Sequence, residues 1–244
     1  MSEPGERPAF YALPPGGWRD YWTLLHPPYT VWHLSYVVIG AAIAPQLNGR
    51  WLGETLAAFF LAMGLAAHAL DELHDRPLRT GIPDRVLKAI AVVGLAGAAG
   101  LGVDGALEST AWIWALIPVG VFLVVAYNLE AFRGAVHSDV WFALAWGGFP
   151  AVVAYVAQTG TLRPEAVAAA LFCTVVSAGQ RVLSTPVRRL RRHVAAVAGT
   201  ITFDDGSREA IDAASLRDAP ERALRLLSVA MPTLALALLL ARTR

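Results

Sequence analysis

Four side chains that can bind a divalent cation lie at helical spacing near residue 70. Residues at positions i, i+3, i+4 and i+7 share one face of an α-helix, and here they are His68, Asp71, Glu72 and Asp75. Hard cations such as Mg²⁺ prefer carboxylate oxygens and share their coordination with phosphate groups. The spacing therefore predicts a magnesium site, and the alternative is a helix end whose charges are simply solvated.

Two further polar groups lie at the ends of later apolar runs. The first comprises Tyr127, Asn128, Glu130, Arg133, His137 and Asp139. The second comprises Gln180, Arg181, Ser184, Thr185, Arg188, Arg189, Arg191 and Arg192. Charge at membrane depth is costly and usually lines a cavity, and a carboxylate wall facing an arginine wall would accept a diphosphate. The alternatives are ordinary helix ends for the first group and a basic patch on anionic lipid for the second.

The composition is that of an integral membrane protein. Of the 244 residues, 56% are hydrophobic and only 16% are charged, whereas soluble domains carry about 25% charged residues. The single cysteine, Cys173, excludes a disulfide framework. We predict an all-α polytopic bundle of about seven transmembrane helices, because runs of membrane-spanning length cover residues 29–47, 52–70, 86–103, 110–127, 138–158, 164–183 and 223–241.

Basic residues are unevenly distributed among the connections between these runs. Sixteen of the 20 fall in alternate connections, and the other four are Arg50, Arg163, Arg242 and Arg244. By the positive-inside rule, we predict a multi-pass protein of the cell membrane with a cytoplasmic amino terminus and a carboxyl terminus outside. All three polar groups would then lie at the cytoplasmic face.

The chain divides into a flexible cytoplasmic tail, a transmembrane bundle, a polar cytoplasmic connection and a last transmembrane helix, at residues 1–20, 21–183, 184–222 and 223–244. Within the connection, residues 194–203 followed by Asp204, Asp205 and Gly206 are typical of a small hairpin. Asp218 is expected to cap the helix that follows.

Four motifs of the chain resemble motifs of one known protein family. The most specific is Asp71-x-x-x-Asp75, followed by Arg76-Pro77-Leu78-Arg79 and Gly81. The others are residues 21–27 with Gly40-Ala41-Ala42, then Tyr127-Asn128, and Gly147-Gly148-Phe149-Pro150. Over most of residues 20–183 the chain thereby resembles the UbiA superfamily of intramembrane prenyltransferases. The motifs resemble, in that order, its first aspartate-rich motif, its opening, the polar end of its fourth helix and its small-residue fifth helix.

The resemblance implies an enzyme in which Mg²⁺ binds a prenyl diphosphate in a cytoplasm-facing cavity. Ionisation would give an allylic cation that an aromatic acceptor attacks, and Asp71 and Asp75 would be Mg²⁺ ligands, with His68 and Glu72 beside them. The expected catalytic residues are Asp71, Asp75 and Arg181. The expected substrate-binding residues are Arg79, Tyr127, Asn128, Arg181 and Arg188.

The chain departs from the family pattern, so we expect a compact, divergent member that carries out prenyl transfer or cyclisation. About seven spans replace the usual nine, and Ala67 and His68 stand where Asn and Asp are usual. Gln180 and Arg181 stand where a second aspartate motif is expected. A guanidinium at that depth is costly without an anion. We therefore predict that Arg181 contacts the diphosphate directly or pairs with one of the carboxylates Asp71, Glu72 and Asp75.

Two other functions remain open at this point. Imidazole shifts metal preference toward Zn²⁺ or iron, so a hydrolase or oxidase would draw its ligands from His68, Asp71, Glu72, His74, Asp75, Glu130 and His137. A bundle without chemistry would be a lipid-binding or partner-organising protein. We expect a prenyl diphosphate or other isoprenoid lipid as partner and no nucleic acid. The sequence leaves the acceptor, the prenyl chain length and the oligomeric state open.

Overall fold

The computed structural model describes residues 7–242, and it is mostly helical. Its elements, in chain order, are α1 (Trp18–Leu24), α2 (Pro27–Ala42), α3 (Gly49–Asp75), α4 (Asp84–Glu108), α5 (Ile113–Asn128), α6 (Asp139–Thr159), α7 (Pro164–Arg192), β1 (Gly199–Thr202), β2 (Arg208–Ile211) and α8 (Ala213–Ala241). A short 3₁₀ turn, Phe132–Gly134, lies between α5 and α6.

Five of the described helices, α3, α4, α6, α7 and α8, are long and apolar enough to cross a membrane. Helix α5 is apolar but shorter, and α2 has 16 residues. Large apolar side chains lie exposed on these helices, and Val92 and Val93 of α4 are 66% and 67% exposed. Such surfaces suit contact with lipid tails rather than water. The structure is therefore that of a helical membrane protein, while seven spans remain a prediction.

Helix α2 lies against α6 and α8, and their shared core contains Trp32, Tyr36 and Leu224. The approach to α6 is close at Gly40, where a methyl group on the Cα atom would collide with the carbonyl oxygen of Ala151. A side chain there would push the two backbones apart. Glycine at this position therefore allows the two helices to approach closely.

Helices α3 and α6 each contain a π-helical segment, Phe60–Ala67 and Leu144–Gly148. A π-segment adds a residue to a turn, so it changes which side chains face a neighbour, and such segments are frequent at functional sites. The first ends directly before His68, and the second contains Trp146. In both helices the irregular turns adjoin residues that line the polar cavity described below.

The polar connection differs from the expected 184–222 segment at both ends. Helix α7 continues without a break to Arg192, and α8 begins at Ala213. The cap of α8 is Asp212, whose side chain accepts from the Ser215 backbone N–H while the Ser215 hydroxyl accepts from the Asp212 N–H. This capping box starts the helix earlier than Asp218, which lies inside it. Between the helices, β1 and β2 form an antiparallel hairpin.

Candidate functional site

A cavity of about 390 Å³ opens at the end of the bundle where α3 and α5 finish and α6 starts. Its size suits a small molecule. Its described lining is Pro8, Ala9, Phe10, Tyr11, His26, Tyr29, His33, His68, Asp71, Pro77, Tyr127, Asn128, His137, Phe142, Trp146, Gln180, Arg181, Ser184, Thr185, Val187, Arg188, Arg189, Arg192 and His193. The three polar groups of the sequence thus contribute to one site.

The wall formed by α7 is strongly basic. It presents four guanidinium groups, Arg181, Arg188, Arg189 and Arg192. Of the described residues that line the cavity, Asp71 alone carries a carboxylate. Guanidinium groups bind phosphate oxygens through planar forks. The charge of the lining therefore favours an anionic ligand.

Arg188 and Arg192 retain donors for such a ligand. The Nη2 of Arg188 donates to the hydroxyl of Thr185 over 3.3 Å, and Nε of Arg192 donates to the carbonyl of Pro8 over 3.3 Å. Neither guanidinium forms an ion pair with a carboxylate in the described part of the chain. Each has five N–H groups, so most of these donors are not used by the described residues.

Arg181 has a different partner from those predicted. Its Nε donates to Oδ1 of Asp139 over 2.7 Å, and its guanidinium lies 5.1 Å from the ring centre of Phe142. The carboxylates of Asp71, Glu72 and Asp75 are not its partners. The reason is that Asp139 occupies the first turn of α6, and that turn packs directly against α7.

The expected carboxylate face of α3 is divided among three environments. Asp71 lines the cavity, whereas Asp75 is exposed and lies outside its lining. Glu72 is 0% exposed and accepts hydrogen bonds from the Leu78 N–H, the Thr80 N–H and the Thr80 hydroxyl over 2.8–2.9 Å. Glu72 therefore organises the return loop, residues 77–83, and its oxygens are not available to a metal.

This division has a local cause. Helix α3 ends at Asp75, and Arg76 takes the left-handed conformation with φ of 51°. The chain then reverses, and the return loop folds over Glu72. Asp20 secures the loop from the other side, because its carboxylate accepts from the N–H groups of Gly16 and Gly81.

The residues present do not fit the expected Mg²⁺ site. The Nδ1–H of His68 donates to the carbonyl of Gly64 over 3.0 Å, and its ring stacks on His26 with centroids 4.1 Å apart. Within residues 7–242, no group of three or more His, Cys, Asp or Glu side chains is arranged to hold a metal ion. For the alternative Zn²⁺ or iron enzyme, the described residues likewise supply no group of three ligands.

Opposite the arginines, aromatic and imidazole groups form the second wall. Tyr127 stacks on His137 with centroids 4.5 Å apart, and its buried hydroxyl has no hydrogen-bond partner among the described residues. His33 is 3% exposed, its Nε2 lies 2.9 Å from Oε1 of Gln180, and its Nδ1 also lacks a partner in that part of the chain. Asn128 donates to the carbonyl of Val124. Unpaired polar atoms in a buried site indicate a place for a ligand or water.

His26 and His33 flank the first apolar run, a position typical of interfacial residues, but both line the cavity. The signal in the sequence was weak, because single histidines beside an apolar run are common at membrane interfaces. Desolvation and the neighbouring His68, Arg192 and Arg188 lower the pKa of His26 well below its ordinary value. The His26 imidazole is therefore neutral at pH 7 and adds no charge to the site.

An N-terminal strap, residues 8–13, contributes its first four residues to the cavity lining. The sequence places this region in the flexible tail of residues 1–20, of which residues 1–6 lie outside the described part. Tyr11 packs edge-on against Tyr29, and Arg225 lies over the ring of Phe10. Burial and the nearby Tyr29 raise the pKa of the Tyr11 hydroxyl, so that it remains a hydrogen-bond donor. The strap thus adds aromatic groups to the lining, and Tyr11 keeps its hydroxyl proton.

Arg79, an expected substrate-binding residue, lies outside the cavity lining, and so does Arg191 of the second polar group. Arg79 is exposed, adopts φ of 55° and donates to the carbonyl of Arg192 over 3.5 Å. Arg191 is largely buried and pairs with Glu221 over 2.6 Å. Glu221 also binds Arg225 over 2.7 Å. These residues fasten α7 to α8 and the strap rather than line the site.

An apolar groove of about 100 Å³ lies between α3, α4, α5 and α6. Met63, Val124 and Ala145 line it. They belong to the same packed cluster as Tyr127 and Trp146, which line the polar cavity. The polar cavity and the apolar groove thus adjoin one another through this cluster.

No protein-family model, curated protein or solved structure matches this chain. Functional inference therefore depends on the geometry of the cavity and on the motifs of the sequence.

Proposed function

We propose that this protein binds the diphosphate group of an isoprenoid diphosphate in the polar cavity and transfers the prenyl group to an acceptor. The observation that carries the proposal is Arg188, a guanidinium that lines the cavity, binds only Thr185 among the described residues and has no carboxylate partner there. A guanidinium in a membrane protein that has no directly paired anion is costly. An anionic ligand beside Arg188 and Arg192 would remove that cost.

The second, aromatic wall of the cavity suits the prenyl group of such a substrate. Tyr127, Phe142 and Trp146 face the arginine wall and adjoin the apolar groove. Aromatic faces stabilise a neighbouring cation by their quadrupole, and an allylic cation would form next to them. The isoprenoid itself is proposed from the resemblance to the UbiA superfamily, and the anion from the arginines.

The proposed transfer balances without a further reactant. The bond between the prenyl C1 carbon and the diphosphate oxygen breaks, and its electron pair goes to the diphosphate. The acceptor's nucleophilic atom bonds to C1, and the acceptor loses a proton. Arg188 and Arg192 would stabilise the departing diphosphate, because fixed donors aimed at developing charge are usually the largest catalytic contribution. Tyr127 would donate a hydrogen bond from its unpartnered hydroxyl to the departing diphosphate.

Binding to the purified full-length protein in lipid nanodiscs tests the proposal. We expect geranylgeranyl diphosphate and inorganic diphosphate to bind and geranylgeraniol to bind much more weakly, because the alcohol lacks the anion. Arg188→Ala should reduce diphosphate affinity by about 10- to 100-fold, the range for lost hydrogen bonds between charged groups. The matched control is Arg222→Ala, since Arg222 is exposed and pairs with Asp218 outside the cavity. Equal affinities for all three probes would refute the proposal.

A second candidate is lipid binding without turnover. It is favoured by the finding that the expected metal ligands are not gathered at the site, although the resemblance implies that a metal activates the diphosphate. Release of inorganic diphosphate from geranylgeranyl diphosphate, measured with a membrane lipid extract as the source of acceptor, distinguishes the two. Binding with no release above the Arg188→Ala background would favour the non-catalytic protein.

A further inference from the structure

Asp71 stands as a single anion among cations in the described lining of the cavity. It interacts electrostatically with Arg192 and Arg188, yet it makes no ion pair within 4 Å and no side-chain hydrogen bond in the described part of the chain. Asp71 is half-buried in the cavity lining. Asp71 therefore attracts the two arginines electrostatically but does not hold their guanidinium groups in one position.

The other members of the carboxylate face cannot assist Asp71 as metal ligands. Both oxygens of Glu72 accept hydrogen bonds from the return loop. His68 uses Nδ1 for the Gly64 carbonyl and stacks on His26, so it offers only Nε2, a nitrogen donor that Mg²⁺ disfavours, and Asp75 faces solvent. A magnesium ion that binds phosphate usually takes one or two carboxylates of the protein. The described lining offers one carboxylate, the minimum of that range, and the guanidinium groups near Asp71 repel a divalent cation.

From this charge arrangement we infer that the cavity binds diphosphate directly through guanidinium groups, without a bridging divalent metal, and that Asp71 is a nearby counter-charge whose role the ligand takes over. The inference deepens the proposed function and rests on it. Without a ligand, Asp71 offsets part of the charge of Arg188 and Arg192. When a diphosphate arrives, the arginines turn their unused donors to it, and Asp71 becomes a nearby like charge.

The two roles of Asp71 predict changes of opposite sign. If Asp71 were a metal ligand, Asp71→Asn would weaken or abolish diphosphate binding in the presence of Mg²⁺. If Asp71 is a counter-ion, the same change removes a repulsion from the ligand-bound protein and an attraction from the ligand-free protein. Both effects tighten binding, by about 3- to 10-fold for charges several ångströms apart at a partly solvated site.

Isothermal titration of inorganic diphosphate into the full-length protein in detergent, with EDTA and separately with excess Mg²⁺, tests the inference. We expect wild-type affinity in EDTA to be equal to or higher than in Mg²⁺, because Mg²⁺ competes for the ligand in solution. We expect Asp71→Asn to bind more tightly than wild type in EDTA. Asp75→Asn is the matched control, since it removes the same charge from the same helix outside the cavity, and its affinity should stay within about twofold of wild type.

The outcomes separate the inference from the proposed function. Binding that requires Mg²⁺ and is lost in both Asp71→Asn and Asp75→Asn would overturn the inference and leave the proposed function standing. Absence of binding by the wild type under both conditions would overturn the proposed function as well. Tighter binding by Asp71→Asn but not by Asp75→Asn would support both. Melting curves of each variant in the same detergent confirm that the comparison is made between folded proteins.

Discussion

Arg181 donates a hydrogen bond from Nε to Oδ1 of Asp139 over 2.7 Å, and this contact joins the cavity end of α7 to the first turn of α6. The Arg181 side chain is 12% exposed, whereas Asp139 is 64% exposed. A pair of this kind is accessible to water on one side, so its contribution to stability is modest. Its main effect is to commit Arg181 to the protein before any ligand arrives.

Because Arg181 is already bonded to Asp139, its substitution should weaken ligand binding less than substitution of Arg188. We expect Arg181→Lys to reduce diphosphate affinity by less than Arg188→Lys, because Arg188, unlike Arg181, has no carboxylate partner among the described residues. Calorimetry with inorganic diphosphate measures both. A larger loss in Arg181→Lys would show that Arg181 leaves Asp139 to bind the ligand.

The same pair is testable by stability alone. Arg181→Ala, Asp139→Asn and the double variant form a double-mutant cycle, for which we expect a coupling energy of about 1 kcal/mol or less because Asp139 is mostly exposed. Melting in detergent without ligand provides the measurement. A coupling energy of several kcal/mol would mean that the pair is much less exposed to solvent than in the structure.

The apolar runs and the polar helix ends could be predicted from the sequence, because both depend on local composition. His68 and Asp71 are expected from their spacing to share a face, and both line the cavity. Such spacing is a property of one helix. Arg188 could be predicted likewise, from an arginine run at the end of an apolar segment.

The partners of these residues could not be predicted, because they depend on the packing of separate helices. Asp139, the partner of Arg181, is 42 positions away in the chain. Glu72 was predicted to be a metal ligand, but the turn at Arg76 folds the return loop onto it. A left-handed arginine gives no signal in the sequence. The continuation of α7 to Arg192 was not predicted, because a run of arginines is typical of the end of an apolar helix.

Glu72 is expected to be a stability residue rather than a ligand-binding residue. Glu72→Gln keeps one oxygen acceptor but turns an amide N–H₂ toward the donors of the return loop, and we expect a loss of about 1–3 kcal/mol. Melting in EDTA without ligand measures it. Asp75→Asn is again the control, with no comparable loss expected because Asp75 is exposed. Equal melting temperatures in the two variants would contradict the buried role of Glu72.

The lowered pKa of His26 predicts acid sensitivity. In the unfolded chain the imidazole takes up a proton near pH 6.5, while in the folded protein it does so only at lower pH. The unfolded state therefore binds more protons below about pH 6.5, and stability falls as pH drops, by at most about 1.4 kcal/mol per pH unit for this group.

His26→Asn should flatten this dependence. Asparagine tolerates the left-handed conformation that residue 26 adopts, with φ of 47°. We expect the variant to lose less stability than wild type when melting is measured between about pH 7 and about pH 5. His74→Asn, at an exposed position outside the cavity lining, serves as the control. Identical pH profiles for His26→Asn and wild type would show that His26 does not govern the effect.

The asymmetry of arginine and lysine predicts which end of the bundle is cytoplasmic. The hairpin and the cavity lie at the arginine-rich end, whereas Arg50, with Glu54, Asp104 and Glu108, lies at the other end.

A cysteine in place of Ser207, in the exposed hairpin turn, should react with a membrane-impermeant maleimide only after cells are opened. A cysteine in place of Thr161, exposed between α6 and α7, should react in intact cells. Cys173 is buried and should give little background. Labelling of Ser207→Cys in intact cells would reverse the orientation, and the cavity would then open to the outside, away from a cytoplasmic supply of prenyl diphosphate.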